Sequence, residues 1–342
     1  MKDILIRKNG HVGHITLNRA KALNALTYDM ILKIEKALIL WKDNIKIKAI
    51  LVDANGDKAF CSGGDVSNLY KHGVLGNYEF GKSFWADEYR LNLLIANYPK
   101  PYVVFMQGFI MGGGVGISCH GSHRIVGNSS IIAMPECGIG LVPDVGGSFL
   151  LTRKSKKLGI YLGITGSHMK ADDAIFTNFA DFFIDEKYWS EVKSKLIKTG
   201  DTTFLNKFKR EILVSPLKEN LQLIHDVFSL SELSLIIQNM ELNPFFSNSL
   251  KKLKRSSPLS VLTSYHMLQM PEIFLSVKDA LKIEYRFTSR AQESTDFQEG
   301  IRSMIIDKDR NPVWKYPNIE DVPIQEVFDL LKPLSSSSEL KI

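Results

Sequence analysis

The sequence predicts an α/β fold whose C-terminal part is helical. Short runs rich in β-branched and apolar residues recur in the first half of the chain and alternate with segments of helical period. Strands that alternate with helices are typical of parallel sheets joined by crossovers. From about Tyr188 onward strand-like runs become scarce and helical patterns follow one another. We therefore predict a core domain over residues 1–190 and a helical region over residues 191–342.

Five runs carry the strand pattern. In chain order they are residues 12–17, 47–52, 102–105, 124–126 and, more weakly, 182–184. Between the first two, residues 27–42 have the period of an amphipathic helix, with Thr27 as the N-cap and Asp29 in the first turn. The later helical runs are residues 191–198, 220–228 and 258–268. Helix following helix there predicts a cap on the core, a contact in a homo-oligomer, or both.

Composition and charge are those of a globular protein. Of the 342 residues, 44% are hydrophobic and 23% are charged, which argues against a disordered or fibrous chain. The net charge of +6 is scattered apart from a short basic run over residues 251–255, which is too limited for a nucleic-acid surface. No apolar run is long enough to cross a bilayer. The sequence therefore predicts neither a nucleic-acid nor a membrane partner.

Cysteine usage and the N-terminus predict a cytoplasmic location. Cys61, Cys119 and Cys137 are too few and wrongly spaced for a disulfide framework, which favours a reducing compartment. The strand-like run at residues 12–17 begins too close to Met1 to leave room for a signal or transit peptide. At the other end, residues 335–342 are expected to form a frayed polar tail.

The most informative stretch covers residues 107–147. It joins three glycines at a strand-to-helix turn, Gly112, Gly113 and Gly114, to the carboxylates Glu136 and Asp144. Glycines at a helix start let backbone N–H groups approach a ligand closely, and the helix N-terminus adds positive potential. Such a turn can bind an oxyanion, and a carboxylate that reaches it can transfer a proton or attack a carbonyl. The stretch therefore predicts acyl chemistry.

Residues 61–65 contain a pair of adjacent glycines, Gly63 and Gly64. It can be a simple tight turn, or the backbone N–H of Gly64 can join that of Gly113 on one carbonyl oxygen. Two donors on one oxygen are what a tetrahedral or enolate oxyanion requires. Glu136 and Asp144, taken singly, also fit structural roles as capping or turn residues.

The histidines predict packing or surface roles rather than a metal site. His120 and His123 lie close in sequence, but no third ligand follows at a suitable spacing and no Gly-x-Ser-x-Gly elbow is present. Asp296, Glu299 and Arg302 are spaced for ion pairs within a helix. The sequence therefore predicts no metal site and no serine nucleophile.

Together these motifs resemble the crotonase (enoyl-CoA hydratase/isomerase) superfamily. Three early signatures match in order and spacing, at residues 19–26, 60–65 and 111–114. A thioester-hydrolysing branch of the superfamily is matched by residues 87–92, 134–136, 139–147, 284–286, 296–302 and 306–309. The likeness spans nearly the whole chain. It implies a crotonase-like spiral of ββα turns, completed by the C-terminal helical region.

The resemblance implies an acyl-CoA substrate and where its CoA part binds. The adenosine and phosphates are expected to dock near residues 19–23, with Arg19 and Lys21 as cationic partners of phosphate. Leu23 and Asp65 match further substrate contacts of the family. CoA is part of the substrate, so no separate cofactor is expected.

The resemblance also places the acyl part of the substrate. The thioester carbonyl is expected between the N–H groups of Gly64 and Gly113. Glu88 matches a substrate-contacting glutamate of the family and is expected either to bind a 3-hydroxyl group or to be a charge on a helix surface.

Two positions separate hydrolysis from hydration within the resemblance. A hydratase uses two glutamates to place water on an alkene, and this chain has Gly116 at the first position and Glu136 at the second. A hydratase has a small residue where this chain has Asp144. The implied reaction is hydrolysis of a short β-hydroxyacyl-CoA thioester. Glu136 either attacks the carbonyl or activates the attacking water, and Asp144 orients water or the substrate hydroxyl and assists proton transfer.

Two alternatives to hydrolysis stay open. The first is an enoyl-CoA hydratase or isomerase, against which Gly116 and Asp144 argue. The second is a non-catalytic acyl-CoA-binding protein on the same fold. Intact carboxylates and glycines at all the matching positions argue against that alternative.

Overall fold

A computed structural model describes residues 2–211 and 214–342, and their contacts group into two units. The sheet unit comprises Met1–Gly64, Arg90–Ala133 and His168–Lys218. The helical unit comprises Asp65–Tyr89, Met134–Ser167 and Glu219–Ile342. In the described part of the chain, every strand lies in the sheet unit. The predicted division into residues 1–190 and 191–342 stays a prediction.

Ten strands of the described chain form two sheets in the sheet unit. They are β1 (Ile4–Asn9), β2 (Val12–Leu17), β3 (Ala49–Ala54), β4 (Ala59–Cys61), β5 (Tyr102–Met106), β6 (Phe109–Met111), β7 (His123–Val126), β8 (Ile131–Ala133), β9 (Met169–Lys170) and β10 (Phe182–Phe183). The six-stranded sheet has the order β1-β2-β3-β5-β7-β10, and the four-stranded sheet has the order β4-β6-β8-β9. From β2 to β10 the neighbours in the six-stranded sheet are parallel, as the alternation of strands and helices predicts.

The helices are numbered in chain order. The α-helices are α1 (Tyr28–Lys42), α2 (Val66–Val74), α3 (Tyr78–Ala96), α4 (Gly113–Ser118), α5 (Gly147–Thr152), α6 (Lys156–Thr165), α7 (Ala171–Phe176), α8 (Trp189–Thr199), α9 (Pro216–Glu219), α10 (Leu221–Val227), α11 (Leu233–Glu241), α12 (Ser247–Leu253), α13 (Pro258–Met267), α14 (Val277–Ser294), α15 (Phe297–Ile301) and α16 (Ile324–Leu331). Short 3-10 helices cover Ala20–Ala22, Glu136–Ile139, Glu186–Tyr188, Thr203–Lys207, Pro244–Phe246, Pro271–Phe274 and Ile319–Asp321, and a π-helical turn covers Arg302–Ile306. None of the helices in residues 2–211 and 214–342 combines the length and the apolar character that a membrane span needs.

The core repeats a turn of two strands and a helix. β3 is followed by β4 and α2, and β5 is followed by β6 and α4. In each turn the first strand joins the six-stranded sheet and the second joins the four-stranded sheet. This is the ββα spiral that the family resemblance implies, and the prediction is confirmed.

One face of α8 covers the six-stranded sheet. Trp189, Val192 and Leu196 recur at helical spacing and pack with residues of β2, β3, β5 and β7 in one buried cluster. The Trp189 ring meets Phe105 edge-on at 5.3 Å, and its indole N–H donates to the Ile184 carbonyl oxygen at 2.8 Å. This burial anchors α8 on the six-stranded sheet.

Most elements predicted from sequence are present. The Thr27 hydroxyl accepts a hydrogen bond from Met30 N at 3.2 Å, so the predicted N-cap of α1 is confirmed. The predicted strands at residues 12–17, 47–52, 102–105 and 124–126 correspond to β2, β3, β5 and β7, with ends that differ by at most two residues.

The frayed C-terminal tail is a wrong prediction. Leu340 is buried, and the Glu339 carboxylate accepts a hydrogen bond from Leu334 N at 2.8 Å. The same carboxylate lies 3.3 Å from Arg286 Nε. The polar serines that precede Glu339 made this segment look unstructured, although Leu340 packs in the interior and Glu339 pairs with Arg286.

Candidate active site

The two glycines predicted to bind an oxyanion lie on neighbouring turns of the sheet unit. Gly113 begins α4 directly after β6, and Gly64 follows β4. A Cβ placed on Gly63 would lie 4.0 Å from Gly113 N, so the two turns approach each other closely. The first N–H groups of a helix have no acceptor within it, so the N–H of Gly113 takes its partner from outside α4.

Glycine is required at this helix start for two reasons. Gly112 has a φ of 48°, in the region that favours glycine. A Cβ on Gly114 would lie 2.4 Å from the carbonyl oxygen of Cys61. The first turn of α4 therefore packs directly on the backbone at the end of β4, and a side chain at Gly114 would separate the two.

The loop predicted to bind CoA is hydrogen-bonded to the same turn. Ser62 N donates to the Leu23 carbonyl oxygen at 3.0 Å, and Leu26 N donates to the Gly63 carbonyl oxygen at 2.9 Å. Leu26 and Gly64 also form an isolated parallel β-bridge. The structure thus brings Leu23 and Gly64 together.

The predicted cations of this loop differ in their surroundings. Arg19 is held in place, because its Nη1 donates to the Ala25 carbonyl oxygen at 2.5 Å and its Nε lies 3.5 Å from Asp3 Oδ2. Lys21 and Leu23 are exposed. Asp65 is the N-cap residue of α2 and belongs to the helical unit.

Asn24 is a structural residue of this loop that sequence reasoning did not single out. Its amide donates to the carbonyl oxygens of Asn55 at 3.0 Å and Ala59 at 2.9 Å, and its Oδ1 accepts from Arg19 N at 2.8 Å. Its φ of 56° is one that asparagine tolerates better than most residues. The signal available in the sequence was an asparagine inside a loop rich in alanine.

The helical unit buries four carboxyl groups that act on one another. Glu88 lies on α3, Glu136 begins the 3-10 helix Glu136–Ile139, Asp144 lies in the turn before α5, and Glu284 lies on α14. Each is at most 5% exposed. The structure therefore groups the three predicted acids Glu88, Glu136 and Asp144 in one unit and adds Glu284. We refer to these four as the acid cluster.

Asp144 is held by a phenol. The Tyr89 hydroxyl donates to Asp144 Oδ2 at 2.7 Å and lies 3.2 Å from Thr288 Oγ1. The backbone beyond Asp144 is in the left-handed region at Val145 and Gly146, with φ of 57° and 74°. The Asp144 carbonyl oxygen accepts from Gly147 N at 2.7 Å, which closes the turn.

Glu284 secures the same turn from α14. Its Oε2 accepts from Gly146 N at 2.7 Å, and its Oε1 accepts from Ser148 N at 3.0 Å and from the Ser148 hydroxyl. Sequence reasoning used Glu284 only as part of a matching motif. Its position on the buried face of α14, with Leu281 and Thr288, was the signal that could have shown its role.

Burial raises the pKa of every member of the acid cluster. The pKa of Asp144 rises to about 7, although the hydrogen bond from Tyr89 lowers it. The pKa of Glu284 rises to about 8 through burial, against the hydrogen bond from Ser148. Burial and then the charge of Asp144 raise the pKa of Glu136 and of Glu88 well above the usual range. The pKa values of Asp144 and Glu284 therefore lie near neutral pH, where general acids and bases exchange protons.

Two buried oxygens of the acid cluster have capacity to accept a hydrogen bond. Within the described residues, Glu88 Oε1 and Glu136 Oε2 are buried without a hydrogen-bond partner. A buried carboxyl oxygen is costly without a partner, so a hydroxyl group or water that reached these atoms would be bound.

The other candidate residues have structural contacts. His123 stacks on Phe182 with ring centroids 6.0 Å apart, as a packing role predicts. The predicted ion pair of Glu299 with Arg302 is present at 2.8 Å, whereas Asp296 instead accepts hydrogen bonds from the Ser257 hydroxyl and Lys315 N. Across residues 2–211 and 214–342, no three histidines, cysteines or acids are arranged to hold a metal ion.

Known proteins resemble this chain over its whole length. A family model described as "Enoyl-CoA hydratase/isomerase" matches residues 12–331. The chain belongs to this family. A relative named "3-hydroxyisobutyryl-CoA hydrolase, mitochondrial" from Gallus gallus is 34% identical over 353 residues, which cover 99% of this chain and 91% of the relative. A protein of the same name from Homo sapiens is 33% identical and covers 98% and 90% of the two chains.

Solved structures confirm the crotonase-like fold. A protein named as an enoyl-CoA hydratase from Rhodobacter sphaeroides 2.4.1 is 43% identical, with a TM-score of 0.94 and 100% of both chains covered. One named as a carnitinyl-CoA dehydratase from Mycobacterium thermoresistibile is 33% identical, with a TM-score of 0.93 and coverage of 100% and 99%.

Replacing Glu284 by glutamine is expected to destabilise the protein. Glu284→Gln keeps the size of the side chain but turns one acceptor into a donor, which leaves a buried N–H of the Asp144 turn unpaired. We expect the free energy of unfolding to fall by about 1–3 kcal/mol in a denaturant titration. Glu293→Gln, an exposed change on the same helix, should stay within about 0.5 kcal/mol of the unchanged protein. Equal effects of the two substitutions would contradict this role of Glu284.

Proposed function

We propose that this protein hydrolyses the thioester of a short β-hydroxyacyl-CoA. The proposed substrate is 3-hydroxyisobutyryl-CoA of valine breakdown, and the products are 3-hydroxyisobutyrate and CoA. The observation that carries the proposal is the pair of Glu136 and Asp144 in one buried acid cluster. Curated relatives named for this hydrolysis, matched over nearly the full chain, support it.

Hydration is the competing reaction. The solved relatives named as a hydratase and a dehydratase favour it by name. The residues argue against it, because Gly116 in α4 carries no carboxyl group, so Glu136 lacks the partner glutamate that a hydratase has at that position. Asp144 adds an acid where a hydratase has none. The acids that remain favour attack on the carbonyl over addition of water to an alkene.

The proposed binding roles follow from the family motifs. Arg19 and Lys21 bind the phosphates of CoA, and Leu23 and Asp65 contact the substrate nearby. These two cations have the right charge for phosphate, and the exposure of Lys21 lets it reach a ligand.

The acyl end of the substrate meets backbone donors and a carboxyl group in this proposal. The N–H groups of Gly64 and Gly113 stabilise the oxyanion of the thioester carbonyl. Glu88 accepts a hydrogen bond from the 3-hydroxyl group, and its unpartnered buried Oε1 supports this role.

Two routes are open for Glu136. In the first, its carboxylate attacks the carbonyl carbon, the C–S bond breaks, and water later hydrolyses the mixed anhydride. In the second, it removes a proton from the water that attacks the carbonyl. In both routes the departing CoA thiolate takes up a proton from water, and the ionised Asp144 carboxylate assists this transfer by orienting that water.

Oxygen-18 water tests for the anhydride route. After a single turnover in labelled water, mass analysis of the protein finds label in the Glu136 carboxyl group only if the anhydride forms and water attacks it at the Glu136 carbonyl carbon, and this result would exclude simple general-base catalysis. Label found only in the released acid is expected for general-base catalysis, and equally for an anhydride opened at the substrate carbonyl. The Glu136→Gln variant, treated in the same way, controls for label taken up elsewhere.

A thiol-release assay tests the proposed function itself. The protein is expected to release free thiol from 3-hydroxyisobutyryl-CoA and to leave crotonyl-CoA unhydrated. Glu136→Gln and Asp144→Asn should each lower kcat by about 10²–10⁴-fold, since each removes an acid or base of the reaction. Hydration of crotonyl-CoA without thiol release would support the hydratase alternative. Binding of acyl-CoA with no turnover, unchanged in Glu136→Gln, would support the non-catalytic alternative.

Compartment, assembly and cofactors stay at the level of prediction. The curated relatives are named mitochondrial, whereas the sequence predicts a cytoplasmic protein. A contact between copies through the C-terminal helices, forming a homo-oligomer, is likewise a prediction. The proposed hydrolysis uses CoA as part of its substrate and calls for no metal or redox cofactor.

A further inference from the structure

We propose that Tyr89 is a positioning residue that holds one oxygen of the Asp144 carboxyl group and favours the ionised form of that group. The inference deepens the proposed function and rests on it. Tyr89 forms no part of the roles assigned from sequence, and it contacts Asp144 rather than the predicted substrate groups.

The geometry leaves the phenol one orientation. Its hydroxyl is 2.7 Å from Asp144 Oδ2 and 3.2 Å from Thr288 Oγ1, and its ring is fully buried and edge-on to Tyr285 at 6.2 Å. An ionised carboxylate can only accept, so the phenol donates to Asp144. Thr288 can then donate its own proton to the phenol oxygen. With Oδ2 engaged, proton transfer by Asp144 uses Oδ1.

The charges around Asp144 make this donor important. The titratable groups that face it are Glu88 on α3, Glu136 in the 3-10 helix and Glu284 on α14, and all three are acids. Burial disfavours an ionised Asp144, and an ionised Asp144 in turn raises the pKa of all three neighbouring acids. A neutral donor at 2.7 Å opposes the effect of burial, because a hydrogen bond to a charged group is stronger than one to a neutral group.

The sequence position of Tyr89 links it to substrate binding. It directly follows Glu88 on α3, so one helix carries the proposed ligand of the 3-hydroxyl group and the donor to Asp144. Glu88 is proposed to contact the substrate, whereas Tyr89 acts through Asp144. Loss of the Tyr89 hydroxyl should therefore change the pH dependence of turnover more than substrate affinity.

The test is Tyr89→Phe, which removes only the hydroxyl group. The acidic limb of the kcat/KM profile for 3-hydroxyisobutyryl-CoA is expected to move to higher pH by about one to two units, with KM changed less than twofold. Tyr285→Phe is the matched control, since its hydroxyl lies 3.4 Å from the Lys82 carbonyl oxygen and the acids that act on it, Glu79, Asp87 and Glu339, are not members of the acid cluster. The control should leave the limb in place.

Two further variants separate positioning from a general structural effect. Thr288→Val should move the limb in the same direction by a smaller amount, because it removes the donor behind the phenol. Tyr89→Phe added to Asp144→Asn should cause no further shift. An unmoved limb in Tyr89→Phe, an equal shift in Tyr285→Phe, or a full additional shift in the Asp144→Asn background would overturn the proposal.

A readout that needs no turnover separates this inference from the proposed function. Carbon-13 NMR of labelled aspartate side chains, assigned with Asp144→Asn, should show Asp144 titrating at higher pH in Tyr89→Phe than in the unchanged protein. If thiol release is absent while this shift is present, the proposed function fails and the positioning role of Tyr89 stands. If the titration of Asp144 is unchanged by Tyr89→Phe, the positioning role fails.

Discussion

Burial of four carboxyl groups in one helical unit is the constraint around which the candidate site is arranged. Each of them loses its water shell on folding, and an isolated buried carboxylate costs several kcal/mol. Hydrogen bonds from Tyr89 to Asp144, and from the following turn to Glu284, offset part of this cost. The remainder raises the pKa values towards neutrality, where general acids and bases act most effectively.

The candidate groups of the sheet unit are of a different kind. Its candidate donors are backbone N–H groups at Gly64 and Gly113, fixed by the close approach of Gly114 to Cys61 and by the hydrogen bonds of the residue 19–26 loop. Backbone donors do not titrate, so they offer the same electrostatic stabilisation at any working pH. The pH dependence of the proposed reaction therefore falls on the acid cluster alone, and within it on Asp144 and Glu136.

Sequence reasoning succeeded where a local pattern was long enough to be read. The sequence predicted β2 and the N-cap of α1. It did not predict β1, because the charged residues Arg7 and Lys8 interrupt its apolar pattern, and it did not predict the three-residue strands. At the site, residue type and spacing singled out the glycines, Glu136 and Asp144. The roles of Tyr89 and Glu284 depend on contacts between residues 55 and 138 positions apart, which no local pattern contains.

The pH dependence of folding tests the central claim, that burial keeps the Asp144 carboxyl group protonated up to about neutral pH. A pKa raised from about 3.9 in the unfolded chain means that the folded protein binds the extra proton, so stability is lost as pH rises towards the folded value. The free energy of unfolding, measured by denaturant from pH 5 to 8 for the protein and for Asp144→Asn, isolates this group. We predict that the protein loses stability relative to Asp144→Asn up to about pH 7 and that the difference then levels off. A difference that stays constant over this range would show that folding does not raise the pKa of Asp144.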